Sequence, residues 1–146
     1  MRAKKVAKAY QEIWWEGCKT ECDEDCRSKC KGSPIRVITA RQVIALQEEL
    51  SVNLGTKAPL VVSAVTYGEP SISNIISDLK TKEIEHFVIL PMYPQYSGST
   101  TGAIYDQISS MNHKSRNVSD VTIIKSYSTH TGYIDSLEKS IKSHWK

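Results

Sequence analysis

The sequence predicts an α/β fold built on a doubly wound parallel sheet with helices on both faces. Three observations carry this. From residue 58 onward apolar strand-length runs alternate with amphipathic stretches in the order β-α-β-α-β-α. The strand runs are nearly continuous in apolar residues, as buried parallel strands are. The intervening stretches repeat their apolar residues at three and four, the helical period. Strands that alternate with helices favour parallel pairing through crossover connections.

The elements follow in order. Residues 3 to 15 predict a helix, with Ala3, Val6, Ala7, Tyr10, Ile13 and Trp14 on one face. Residues 16 to 33 lose that pattern and form a cysteine-rich insertion between Gly17 and the turn Gly32-Ser33-Pro34. Helix resumes near Thr39 on a stripe of Ala40, Val43, Ile44 and Leu50, and Ser51 to Lys57 reads as a polar connection. Pro59 to Val65 is the first expected strand. Pro70 lies near the next helix start, where a missing N–H costs nothing, and Ile72, Ile75, Ile76 and Leu79 are that helix's stripe. His86 to Leu90 is the second strand, followed by a Pro-, Ser-, Thr- and Gly-rich loop from Pro91 to Gly102. Ile104, Tyr105, Ile108 and Met111 mark a helix, Val121 to Ile124 a strand, and Tyr133, Ile134, Leu137, Ile141 and Trp145 a last helix. One domain over residues 1 to 146 accounts for this length.

Composition excludes several classes. With 40% hydrophobic and 24% charged residues the chain is neither collagenous nor disordered. Its apolar runs fall far short of the roughly 20 residues of a spanning helix. The basic start, Met1-Arg2-Ala3-Lys4-Lys5, leads into no apolar secretory core, so a cytoplasmic location is expected. A net charge of +3, mixed in sign along the chain, does not argue for nucleic acid.

In parallel sheets ligands bind beyond the carboxyl ends of the strands. That points to the loops Thr66 to Pro70, Pro91 to Gly102 and Ser126 to Thr131. The middle loop is the most unusual. Two prolines stiffen it, two tyrosines offer flat apolar faces with polar tips, and Ser99, Thr100 and Thr101 stand where a helix begins.

Cys18, Cys22, Cys26 and Cys30 recur every fourth residue. On one straight helix the outer pair would lie about 18 Å apart, too far to share a tetrahedral ion. The segment must fold back, bind with fewer ligands, or pair as Cys18–Cys22 and Cys26–Cys30. An iron–sulfur cluster or zinc is one reading. Disulfides or free thiols are the other. Glu21, Asp23, Glu24 and Asp25 add negative charge that disfavours a further cluster of thiolates.

Leu90-Pro91-Met92-Tyr93-Pro94-Gln95-Tyr96-Ser97-Gly98-Ser99-Thr100-Thr101-Gly102 resembles the signature loop of ferrochelatases, which insert ferrous iron into a porphyrin to make haem. Gly32-Ser33-Pro34-Ile35 and Tyr67-Gly68-Glu69-Pro70-Ser71-Ile72 resemble two further family segments in the same order, and the helix from Arg2 to Trp14 also matches. The resemblance implies the N-terminal half of a two-halved enzyme, without its opening strand. It implies porphyrin contacts at Arg2, Tyr10, Ser33 and Tyr93, with Met92 a weaker candidate. It implies porphyrin and ferrous iron as substrates, no cofactor required for the reaction, and peripheral contact with a membrane as an option. The family's catalytic histidine lies in a Ser-x-His-Gly motif of the second half, and none of His86, His113, His130 or His144 sits in such a motif. The expectation is a chain that supplies the porphyrin-binding half and does not turn over alone, its base coming from a second half or partner chain. The alternative is an inactive relative that binds porphyrin or haem. The family's arginine before Tyr67 is Thr66 here, and the cysteine some members carry in the signature loop is Gly98.

Overall fold

The computed structural model describes residues 2–14, 32–116 and 118–145. They divide into two compact units, Met1–Ser63 and Ala64–Lys146. The cysteine-rich insertion, with Cys18, Cys22, Cys26 and Cys30, lies outside the described residues.

The first unit is helical. Helix α1 runs Arg2–Glu12, and two turn bonds close its end, Ile13 N–H to Tyr10 O at 3.3 Å and Trp14 N–H to Gln11 O at 3.2 Å. Gly32 has φ +123° beside the Trp14 indole, where an added Cβ would lie 3.6 Å from Nε1. The backbone angle is what requires glycine there. Helix α2 spans Pro34–Leu54. It begins five residues before the expected Thr39, because Pro34 takes the first helical position, where its ring presets φ and no N–H is lost. It also absorbs most of the expected polar connection and stops at Gly55, which has positive φ and donates to Ser51 O. A single 3₁₀ turn, Gly55–Lys57, follows. Val37 is the buried anchor of α2.

The first expected strand does not form. Among the described residues, the pairing along Pro59 to Val65 is one isolated parallel bridge, Val65 with Ser71. Leu60 and Val62 stay exposed. Gln47 of α2 meets the extended backbone instead, donating to Pro59 O at 3.1 Å and accepting from Val61 N–H at 2.8 Å. A β-rich apolar run states a capacity to pair, and the ladder needs a neighbour as well.

The second unit holds the sheet. Helix α3, Ile72–Thr81, is capped by Ser71, whose Oγ accepts from Asn74 N–H. Strand β1, His86–Ile89, pairs in parallel with β2, Asp120–Ile123, in the register His86 to Asp120 through Ile89 to Ile123. Helix α4, Ala103–Lys114, connects them, entered through a π-helical turn at Gly98–Gly102. This is the β-α-β unit of an α/β fold. Ile72, Ile76 and Leu79 of α3, Phe87 of β1, and Ile104 and Ile108 of α4 form the buried core, with Ile89, Val121 and Ile123 packed on it. Burying each such side chain contributes about 1.5–3 kcal/mol. Phe87 and Val88 point to opposite faces, as strand geometry requires: Phe87 is 7% exposed and Val88 is 71%. Helix α5, Thr131–His144, buries no residue, and Ile134, Leu137, Ile141 and the following Trp145 stay exposed along it. Among the described residues no helix is long and apolar enough to cross a membrane.

Candidate functional site

Three loops of the second unit have their partners fixed by hydrogen bonds, and two of them follow the strands of the sheet. The loop Thr66–Pro70 precedes α3. Gly68 takes φ +93° in its turn, and Val65 N–H donates to Pro70 O at 2.8 Å. Glu69 turns its carboxylate onto the helix start, accepting from Ser71 N–H at 2.9 Å and from the Asn74 amide at 3.1 Å. Gln107 of α4 donates to Thr66 O at 3.0 Å.

The loop after β1 begins at buried Pro91 and carries Met92, Tyr93 and Tyr96 outward. Tyr93 is 43% exposed and lies between two prolines. Neither proline has an N–H, so this stretch presents carbonyls with few donors of its own. The donors come from the loop after β2. Tyr127 N–H reaches Pro94 O at 2.9 Å, Ser126 Oγ reaches the same oxygen at 3.0 Å, and the Tyr127 hydroxyl reaches Pro91 O at 3.3 Å. The Tyr127 ring meets Tyr133 edge to face, centroids 5.8 Å apart at 87°. Burial, then the neighbouring Tyr133, raises the Tyr127 phenol above its ordinary value.

Further along, Ser97 O accepts from both Thr100 N–H, at 3.2 Å, and Gly102 N–H, at 2.9 Å, which tightens the turn into α4. A Cβ on Gly102 would meet Tyr96 Oη at 3.2 Å and Ser97 O at 3.5 Å, so glycine lets the tyrosine close over the helix start. Lys125 Nζ lies 5.1 Å from the Tyr96 ring centroid, a cation–π approach. Thr101 is fully buried, and among the described residues its Oγ1 has no hydrogen-bond partner.

The residues singled out in the sequence divide between the units. Arg2 heads α1, and its side chain is outside the described part. Tyr10 is on the same helix with its ring 57% exposed, so it is not the core residue its place on an apolar stripe would allow. Ser33 is at the N-cap of α2. Its carbonyl accepts from Arg36 N–H and Val37 N–H, while its hydroxyl makes no cap bond. Tyr93 belongs to the second unit. The serine and threonine run 99–101 stands where it could cap α4, and the turn is closed by the Ser97 carbonyl, with no side-chain cap bond at the helix start. Among the described residues no group of three or more His, Cys, Asp or Glu stands close enough to hold a metal ion. Sequence reasoning marked the loop from Ser126 without seeing the role of Tyr127. An aromatic residue just past a strand's carboxyl end was the available signal.

A family model described as Ferrochelatase matches residues 1–146. The chain is 37% identical over 145 residues to a ferrochelatase of Aeromonas hydrophila, covering 99% of this chain and 40% of that protein. It is 37% identical over 141 residues to a ferrochelatase of Psychrobacter cryohalolentis, covering 97% and 37%. It is 36% identical over 146 residues to one of Aliivibrio fischeri, covering 100% and 39%. The chain thus spans about two-fifths of the length of these relatives.

Proposed function

Since the chain belongs to the ferrochelatase family along residues 1–146, we propose that it serves the insertion of ferrous iron into a porphyrin in haem biosynthesis and supplies the wall and rim of the porphyrin slot. A porphyrin is flat and apolar, with carboxylates on one edge. It calls for aromatic or aliphatic walls and a few cationic or hydroxyl groups at a rim. The observation that carries the reading is Tyr93, a half-exposed ring set between two prolines whose carbonyls are both held by a second loop. A stiff aromatic face suits a rigid ligand because little ordering remains to be done on binding.

The other contacts follow by chemistry. The Arg2 guanidinium suits a propionate, whose two oxygens it can bond together. The hydroxyls of Tyr10 and Ser33 suit the remaining propionate region. Metal insertion needs a buckled macrocycle, so that pyrrole nitrogens turn their lone pairs toward iron, and that distortion draws on binding energy at the walls and rim. It also needs a base for the departing pyrrole protons. We assign that base to the part of the relatives' length that residues 1–146 do not match. A thiolate metal site at Cys18, Cys22, Cys26 and Cys30 is a separate proposal. It predicts iron or zinc retained by anaerobically purified protein and lost in Cys22→Ser.

The test is a protoporphyrin fluorescence titration of the intact protein and of Arg2→Ala, Tyr10→Phe, Ser33→Ala and Tyr93→Ala. Affinity should fall about three- to tenfold for each lost hydrogen bond or charge pair at Arg2, Tyr10 and Ser33, and at least as far for the lost ring in Tyr93→Ala. Unchanged affinity in Tyr93→Ala would remove the slot reading, and unchanged affinity in the other three would remove their assignments. Iron insertion by the chain together with the part that supplies the base separates this reading from that of a relative that only binds porphyrin or haem.

A further inference from the structure

We propose that Tyr127 is a positioning residue for the ligand-facing loop, fixing the pose in which Tyr93 meets a porphyrin. The inference rests on the reading of Tyr93 just given. Tyr93 stands between Pro91 and Pro94, and the carbonyls of those two prolines are the handles by which its backbone can be held. Tyr127 takes both, Pro94 O through its main-chain N–H at 2.9 Å and Pro91 O through its phenol at 3.3 Å. One residue therefore spans the segment that displays Tyr93. Its own placement is fixed from two sides. His130 N–H donates to Tyr127 O at 3.0 Å, and the Tyr133 ring of α5 meets it edge to face. Ser126 Oγ adds a second donor to Pro94 O at 3.0 Å. Pro91 is buried and Tyr93 is not, so the loop turns outward between the two held carbonyls. Tyr127 itself is only partly buried and makes no assigned contact with ligand.

The hydroxyl bond is the separable part. Tyr127→Phe keeps the ring, the stack on Tyr133 and the main-chain donor, and removes only the bond to Pro91. The experiment is a double-mutant cycle on the intact protein with Tyr127→Phe, Tyr93→Ala and the pair, read by protoporphyrin IX fluorescence titration well below the unfolding temperature. Tyr127→Phe should weaken binding about three- to tenfold in the native background and shift the Soret band of the bound pigment. In the Tyr93→Ala background it should change nothing, because the ring it places is gone. Additive losses, or no loss in Tyr127→Phe while Tyr93→Ala binds weakly, would overturn the proposal and leave the porphyrin slot standing. No loss in Tyr93→Ala would instead remove the slot reading itself.

Discussion

Gln107 and Thr66 are 41 residues apart in the chain, yet the Gln107 side-chain amide donates to the Thr66 main-chain carbonyl at 3.0 Å. The bond ties the middle of α4 to the loop Thr66–Pro70 and is partly buried. Replacing Gln107 by Ala should cost about 1 kcal/mol of unfolding free energy. Gln107→Glu should cost more, since an ionised carboxylate facing a carbonyl oxygen cannot donate. Urea unfolding midpoints of the two variants check the order. Midpoints equal to that of the native chain in both variants would show the contact to be energetically idle.

Thr101 offers the opposite case. Its side chain is fully buried, and its hydroxyl oxygen has no partner among the described residues. A buried polar group without a bond is a cost that a like-shaped apolar group avoids. Thr101→Val should therefore raise stability by about 1 kcal/mol, read as a higher thermal midpoint, and Thr101→Ser should lower it through the lost methyl. A destabilised valine variant would mean that the hydroxyl has a partner in solution.

Tyr127 gives a pH prediction. Its phenol is raised by burial and by Tyr133, so the folded chain holds that proton more tightly than the unfolded chain does. The resulting stability is fully present below the ordinary phenolic value of about 10 and is lost as pH rises through the raised folded value. Unfolding midpoints between pH 8 and pH 11.5, values chosen to bracket that phenolic value, should fall more steeply for the native chain than for Tyr127→Phe. Parallel curves would mean that this phenol titrates alike in both states.

The capping of α3 is a fourth test. Ser71 Oγ accepts from Asn74 N–H at 3.3 Å, and Glu69 adds its carboxylate to Ser71 N–H and the Asn74 amide. Ser71→Ala should cost about 1 kcal/mol. The double replacement with Glu69→Ala should cost less than the two single losses added, because both groups serve the same helix end. Thermal unfolding of the three variants gives the comparison.

Much of the second unit was legible in the sequence because its signals are local. The stripe Ile72, Ile76 and Leu79 faces the core as its spacing required, and Phe87 is the buried residue of β1. What failed to transfer depended on partners distant in the chain. Pro59 to Val65 reads as a strand by composition, but its hydrogen bonds go to the Gln47 side chain and to one bridge. The start of α2 was missed because the apolar stripe begins later than the proline that opens the helix. At the candidate site, Tyr93 and its stiff loop were visible from residue types alone. Tyr127 was not, since its contribution lies in two bonds to carbonyls more than thirty residues earlier.

The grip of one tyrosine on two proline carbonyls also constrains how this region can vary. In any one rotamer the distance between a tyrosine's amide nitrogen and its phenol oxygen is fixed, so the reach from Pro91 to Pro94 has to match one of a few set lengths. An insertion between those prolines would pull at least one carbonyl off its donor, and a deletion would leave Tyr93 no arc on which to stand. The spacing of the two prolines is therefore a constraint in its own right, beside the identities of Tyr93 and Tyr127.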